Sequence, residues 1–277
     1  MIAREAAIAL LPHGVVEGVR NHRMLSRLGA ATTRPRAASL ARGARLDLLP
    51  PGALRELETV VDVGANDPER WSQSFHLEQH GWTGVLVEPQ PDLAETLRTR
   101  RKAKVYAVAC SSPGNTGKTM QLHLAGIYSS LNPDLSITTV GAEGAVDVPI
   151  MTLDDVLKDA GAPAPIDFLS IDVEGHEIDV LSGFDLARWR PRLILIEDLV
   201  LNLALHRLLV ARGYKWVRRT GLNSWYVPAA TPMDVDLEGR LQFIRKYYLG
   251  VPFRHLREAL RRLRFRLGLR RDPPKTA

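Results

Sequence analysis

Two stretches of the sequence gather residues that could do chemistry. The first, Val60–Asn66, reads VVDVGAN and sets Asp62, Gly64 and Asn66 close together. Its apolar, β-branched start reads as a buried strand, and Gly64 supplies a turn in which backbone can approach a ligand closely. Twenty-six residues after Asp62, Glu88 ends a second apolar run, Gly84–Glu88. One strand–helix–strand crossover separates the two acids, so both should reach the same edge of a parallel sheet. A carboxylate there can accept from both hydroxyls of a ribose. The second stretch, Ile166–Glu177, reads IDFLSIDVEGHE and closes on Asp172, Glu174, His176 and Glu177. Crowded carboxylates repel one another, which can lift one of them toward a neutral pKa, as a general base requires. Histidine titrates in that range unaided.

The glycine pattern narrows the ligand. It is not G-x-G-x-x-G, and Pro68 removes an N–H where a phosphate would want donors. Asp62 would repel a pyrophosphate and suits a cationic or zwitterionic group, such as the amino-acid end of S-adenosylmethionine. Taken singly, VVDVGAN can be a surface turn, Glu88 an exposed strand-end acid and IDVEGHE a solvated turn before a helix. Asp62 and Glu88 at this spacing favour a nucleoside, and Asp172 at the same edge favours catalysis. Methyl transfer is an in-line displacement from a sulfonium, so orientation supplies much of the rate. For an alcohol acceptor, Glu174 or His176 is the candidate base, and Asp172 orients acceptor or cofactor. Asp172, Glu174, His176 and the Glu197-Asp198 pair include metal-ligand types, but no spacing compels a metal and none is expected.

These residues need a scaffold that brings strand ends together. From Thr59 onward, short β-branched runs alternate with helical segments, the pattern of strand–helix–strand units. Strands are expected at 59–63, 84–88, 104–109, 166–172, 193–197, 214–218 and 225–228. Helices are expected at 68–80, 92–100, 153–159, 177–183 and 201–212. The first of these helices would start with Asp67 as N-cap and Pro68 at its first position. The Gly-, Ser-, Asn- and Pro-rich stretch 114–149 reads as an insertion over the carboxyl ends of the strands, where such sheets bind ligands. Gly221-Leu222-Asn223 turns the last two strands into a hairpin.

Composition is that of an ordinary globular protein, with 45% hydrophobic and 25% charged residues in 277. The lone Cys110 excludes an internal disulfide and a cysteine-based zinc site, and fits a reducing compartment. Pro12, His13, Gly14 and Glu17 interrupt any apolar leader core, and no uncharged run is long enough to span a bilayer. A soluble, cytoplasmic protein is expected. The net charge of +6 hides an asymmetry: residues 1–45 carry +6, residues 240–271 carry +10, and the middle, 46–239, carries −10.

Together the motifs resemble the FkbM family of S-adenosylmethionine-dependent methyltransferases. The matching pieces are VDVGAN at 61–66, LVEPQPDLAETL at 86–97, IMTLDDVL at 150–157, IDFLSIDVEGHEIDVLSGF at 166–184, LILIED at 193–198 and GYKWVRRTGLNSWYVP at 213–228. The resemblance covers about residues 55–230. It implies an α/β fold of the class I methyltransferase (Rossmann-like) type. That is a three-layer sandwich on a mostly parallel sheet, with a C-terminal antiparallel hairpin and here helical N- and C-terminal extensions. Three segments are expected: a basic extension over 1–45, the catalytic domain over 46–230 and a basic amphipathic extension over 231–277. The family most often O-methylates a hydroxyl of a sugar, glycolipid or polyketide-type product. Carried onto this chain, Asp62, Gly64 and Asn66 would line the cofactor pocket, Glu88 would hold the ribose, and Ala109 and Cys110 would flank the adenine. Asp172, Glu174 and His176 would face the acceptor. Family members often have glycine where this chain has Pro68, so cofactor contacts there are open.

The basic arms need their own explanation. Leu256, Leu260, Leu263 and Leu267 form one helical stripe, with Arg257, Arg261, Arg262, Arg264 and Arg266 largely off it. Such a helix can lie on an anionic membrane, pack on the catalytic domain or meet nucleic acid. The rival functions are therefore an RNA or DNA methyltransferase with basic binding arms, and a non-enzymatic nucleoside-binding module. No nucleic-acid module is recognisable, and an acidic centre repels a polyanion. The expected partners are a carbohydrate or glycolipid acceptor and, through 240–271, the inner face of a membrane.

Overall fold

Strand β1 (Thr59–Val63) is buried along its whole length, with Val61 and Val63 in one apolar cluster and Val60 in another. A strand buried on both faces is the mark of a sheet covered on both sides. The computed structural model of the protein describes residues 59–126, 128–132 and 144–267. The expected basic segment 1–45 lies outside the described residues.

The remaining strands are β2 (Thr83–Val87), β3 (Lys104–Tyr106), β4 (Ala109–Cys110), β5 (Thr119–Leu124), β6 (Gly144–Met151), β7 (Phe168–Ile171), β8 (Leu193–Glu197), β9 (Tyr214–Thr220) and β10 (Asn223–Pro228). The main sheet has the order β3-β2-β1-β7-β8-β10-β9, parallel except for β10, which runs antiparallel to both neighbours. The order reverses between β1 and β7, the topological switch at which open sheets bind ligands. Helices α1 (Phe75–Glu78), α2 (Pro91–Arg100), α3 (Leu153–Ala160), α4 (Glu177–Ser182), α5 (Leu186–Trp189) and α6 (Ala204–Ala211) link the strands. The architecture is the expected three-layer α/β sandwich, closed by the β9–β10 hairpin.

Local chemistry explains these helices. Thr152 Oγ1 accepts from the Asp155 N–H at 3.0 Å to cap α3, and Gly161, at φ +65°, ends it. Leu153, Val156 and Leu157 turn its apolar face onto the sheet.

Two expected elements are different in the structure. The helix expected over 68–80 shrinks to α1. Asp67 Oδ1 does accept from the Glu69 and Arg70 N–H groups, as an N-cap would. Trp71, however, adopts φ +69°, and the Pro68 carbonyl accepts from Arg101 Nη1 at 3.1 Å instead of serving a helix. The strand expected over 104–109 is two strands: β3 belongs to the main sheet, while β4 joins a second sheet of order β4-β6-β5. In that second sheet β5 and most of β6 come from the insertion, and β4 precedes it.

Beyond β10, α7 (Leu237–Phe243) packs on β9. The Arg219 N–H donates to Gln242 Oε1, and Gln242 Nε2 donates back to the Arg219 carbonyl. A π-helical turn over Ile244–Leu249 then buries Tyr247 to 1% exposure, stacked on Phe243 at 4.5 Å. Helix α8 (Val251–Arg266) follows. No helix among the described residues is long and apolar enough to cross a membrane.

Candidate active site

The carboxyl ends of β1, β2 and β7 meet the second sheet around a cleft of about 600 Å³, open solvent at its mouth included. Its walls include Gly64, Asn66, Glu88, Ala109, Cys110, Asp172, Glu174 and His176, so eight of the nine residues singled out in the sequence face one space. The ninth, Asp62, is 2% exposed and stands behind the wall. It accepts from Ser74 Oγ at 2.6 Å, and Arg101 Nη2 donates to the same Ser74 oxygen. Arg101, itself buried, also pairs with Glu78 and donates to Ser72 Oγ. Burial holds the Asp62 carboxyl above its usual range, against the opposing pull of Ser74, Arg101 and Ser170. Asp62 therefore anchors the turn from within. Sequence reading missed Ser74, Arg101 and Glu78 because their meeting depends on the fold of residues 68–80.

Gly64 lines the cleft and has a second task. At φ +85°, a Cβ there would lie 1.8 Å from the Asp172 carbonyl oxygen. The close approach it permits is backbone to backbone, between the ends of β1 and β7. Beside it, Asn66 takes a left-handed turn at φ +50°, which asparagine tolerates. The Asn66 N–H donates to Glu88 Oε2 at 2.9 Å, and the Gln90 N–H donates to Glu88 Oε1 at 2.8 Å. Glu88 thus ties the two strand-end turns together. Burial raises its pKa, the two N–H groups lower it, and Asp62 adds a smaller upward push. Cys110 has its thiol pushed up to about 12 by burial, so it stays protonated and offers an apolar wall. Pro68 is not among the residues lining the cleft.

At the other end, the chain leaves β7 through Asp172, whose N–H donates to the Val63 carbonyl. Glu174 and Gly175 then take successive left-handed conformations at φ +51° and +93°. Such a conformation is strained for glutamate, and strain of this kind collects at functional turns. It is held by Ser130 Oγ, which donates to the Glu174 carbonyl at 2.7 Å, and by the Gly175 N–H, which donates to Glu177 Oε1. His176 Nε2 lies 2.9 Å from Ser111 Oγ, which accepts from Asn115 Nδ2, and His176 Nδ1 faces Asp179 at 3.6 Å. These contacts fit the tautomer with its proton on Nδ1, toward the carboxylate.

The carboxyl cluster is larger than the motif. Glu197 ends β8 next to β7, with Ile196 opposite Ile171, and joins Asp172 and Glu174. Burial, chiefly, pushes Asp172 up to about 6, Glu177 to about 7, Glu174 to about 8 and Glu197 to about 10, and neighbouring carboxylates add to each. His176 moves the other way: burial lowers its pKa and Asp179 partly offsets this. Asp198 stands apart, since its oxygens accept from the Val200 N–H and the Tyr247 hydroxyl. Glu197 stands among the metal-ligand types in the sequence, but Ser111 and Ser130 could be recognised only once the path of the chain after β4 was known.

No curated protein matches the sequence. Among solved structures, the chain is similar to a methyltransferase from Geobacter sulfurreducens, at 13% identity and TM-score 0.38, over 81% of this chain and 96% of that one. It is similar to a putative RNA methyltransferase from Pyrococcus horikoshii at 10% identity and TM-score 0.34, over 68% and 85%. It is also similar to a precorrin-6y C5,15-methyltransferase from Geobacter metallireducens at 14% identity and TM-score 0.34, over 69% and 85%. The methyltransferase FkbM domain matches residues 62–215, from Asp62 behind the cleft through every lining residue to the start of β9. With that match over more than half its length, and a class I methyltransferase sheet beneath its cleft, the chain belongs to the FkbM methyltransferase family.

Proposed function

We propose that the chain is an S-adenosylmethionine-dependent O-methyltransferase acting on a hydroxyl of a sugar, glycolipid or other glycoconjugate. The observation that carries this reading is one cleft with two chemically different ends: Glu88 at one, and Asp172, Glu174 and His176 at the other. Each Glu88 oxygen is fixed by one backbone N–H and keeps a further lone pair for a ribose hydroxyl. Val87, Leu93, Ala109 and the protonated Cys110 give a purine ring apolar walls. This donor set fits S-adenosylmethionine, whose cationic sulfonium suits an acidic cleft. When bound, it supplies a methyl group on that sulfur.

The chain's own residues then orient and deprotonate. Asp172 orients the acceptor in line with the departing sulfur. With the donor held at Glu88, the acceptor oxygen would take the methyl group while the carbon–sulfur electron pair would stay on sulfur. The hydroxyl proton passes to Glu174 or His176. Glu174→Gln and His176→Ala should each lower turnover at least about 100-fold, the usual worth of a general base. Cofactor affinity should stay within about threefold, because neither group is at the ribose end. Full activity in both variants contradicts the assignment. Mass spectrometry of glycans and lipids from cells with and without the gene identifies the acceptor as the species that loses one methylene of mass.

The acceptor is best met at a membrane. In α8, Phe253 is 74% exposed and Leu256, Leu260 and Leu263 are 59%, 46% and 51% exposed, in a segment rich in arginine. An exposed apolar stripe with that charge suits the anionic inner face of a cytoplasmic membrane. A nucleic-acid substrate fits less well, because carboxylates at the reaction end repel phosphates.

A further inference from the structure

Glu197 differs from every other acid of the cluster. It is 4% exposed, at the end of a strand buried throughout, and its Oε2 atom has no hydrogen-bond donor among the described residues. A buried acceptor left without a partner costs about 1–3 kcal/mol, and more when charged. Arg219, the cation that acts on it, directs its own hydrogen bonds elsewhere, to Ser224 Oγ and the Asp198 carbonyl. Yet one carboxylate oxygen each from Glu197, Asp172 and Glu174 lie within 4.8 Å of one another. Three carboxyl groups this close, one of them sealed from water, can all ionise only with positive charge between them.

The donor set says what kind. All three ligands are carboxylate oxygens, which suit hard cations. His176 is outside the set, its ring nitrogens turned to Ser111 and Asp179, and Asp198 has its oxygens engaged. Cys110 carries no charge to offer. We propose that Asp172, Glu174 and Glu197 form a binding site for a hard divalent cation, Mg²⁺ or Mn²⁺, at the reaction end of the cleft. Asp172 and Glu174 line the cleft while Glu197 backs them, so the ion presents its open positions to the cavity. Those positions take water or an acceptor oxygen. Resting on the methyltransferase reading, the ion's task is to hold the acceptor hydroxyl and make its proton easier to remove, which leaves His176 as the base and Glu174 as a ligand.

The test uses the full chain, stripped with EDTA and titrated with MnCl₂ while free Mn²⁺ is followed by electron paramagnetic resonance. A single saturable site is expected. It should weaken at least about tenfold, or 1.4 kcal/mol, in both Glu197→Gln and Glu174→Gln. Circular dichroism and thermal melting check that each variant is folded. Should Glu197→Gln not fold, Glu174→Gln, facing the cleft, decides alone. No saturable Mn²⁺ binding, or equal affinity in the folded variants, overturns the site. Calorimetry with S-adenosylmethionine on the same preparation separates the two claims. Cofactor binding without Mn²⁺ overturns only the cation site; Mn²⁺ binding without the cofactor supports the site and overturns the methyltransferase reading.

Discussion

Asp62 and Glu88 lie at the ends of adjacent strands, yet their surroundings give them separate tasks. Asp62 is enclosed with Ser74 and Arg101 and holds a turn in place; Glu88, fixed by two N–H groups, borders the cleft. The acids at the other end are distinguished by how poorly they are compensated. Unfolded carboxyls release their protons near pH 4. In the folded, metal-free protein, Asp172, Glu177, Glu174 and Glu197 keep theirs up to about 6, 7, 8 and 10. Across that window the folded state binds more protons than the unfolded one, so stability falls as pH rises. Melting of EDTA-treated protein should show a Tm lower near pH 9 than near pH 6, with a shallower fall in Glu197→Gln. A Tm that is flat or rises over this range contradicts that charge balance.

At the scale of elements, the site depends on two strand ends in backbone contact. Gly64→Ala places a methyl group against the Asp172 carbonyl in a conformation that alanine resists. It should cost more than about 3 kcal/mol and lower Tm markedly or prevent folding; a Tm within a degree or two of the parent refutes this packing. The periodic elements were readable because burial writes them into sequence: β1, β2, β7 and β8 are apolar runs, and α3 has both its caps. The helix expected at Pro68 was not readable, because its carbonyl is claimed by Arg101, distant in sequence. Nor was the division at Ala109, where two residues change sheets. Eight of the nine residues given site roles from the sequence line one cleft: six follow apolar runs that end at the same edge of the main sheet, whereas Ala109 and Cys110 reach it from the second sheet. Glu197 also ends such a run, but only the strand order places it beside Asp172.

For the whole molecule, an acidic central segment is joined to basic ends. Through Tyr247 the C-terminal segment is built into the domain, whereas beyond it the leucines of α8 are exposed relative to the other described residues. Replacing Leu256, Leu260 and Leu263 together with Ser should abolish sedimentation with phosphatidylserine-containing vesicles. The parent should bind and be released by salt. Vesicle binding by the triple variant equal to the parent's removes the membrane role. The central claim, however, is that the cleft holds a nucleoside-bearing methyl donor with Glu88 on its ribose. Calorimetric titration of the full chain with S-adenosylmethionine tests it most directly. Saturable binding to one site, weakened about tenfold or more in a folded Glu88→Gln variant, is the result predicted. No binding to the parent, or unchanged affinity in that variant, would contradict it.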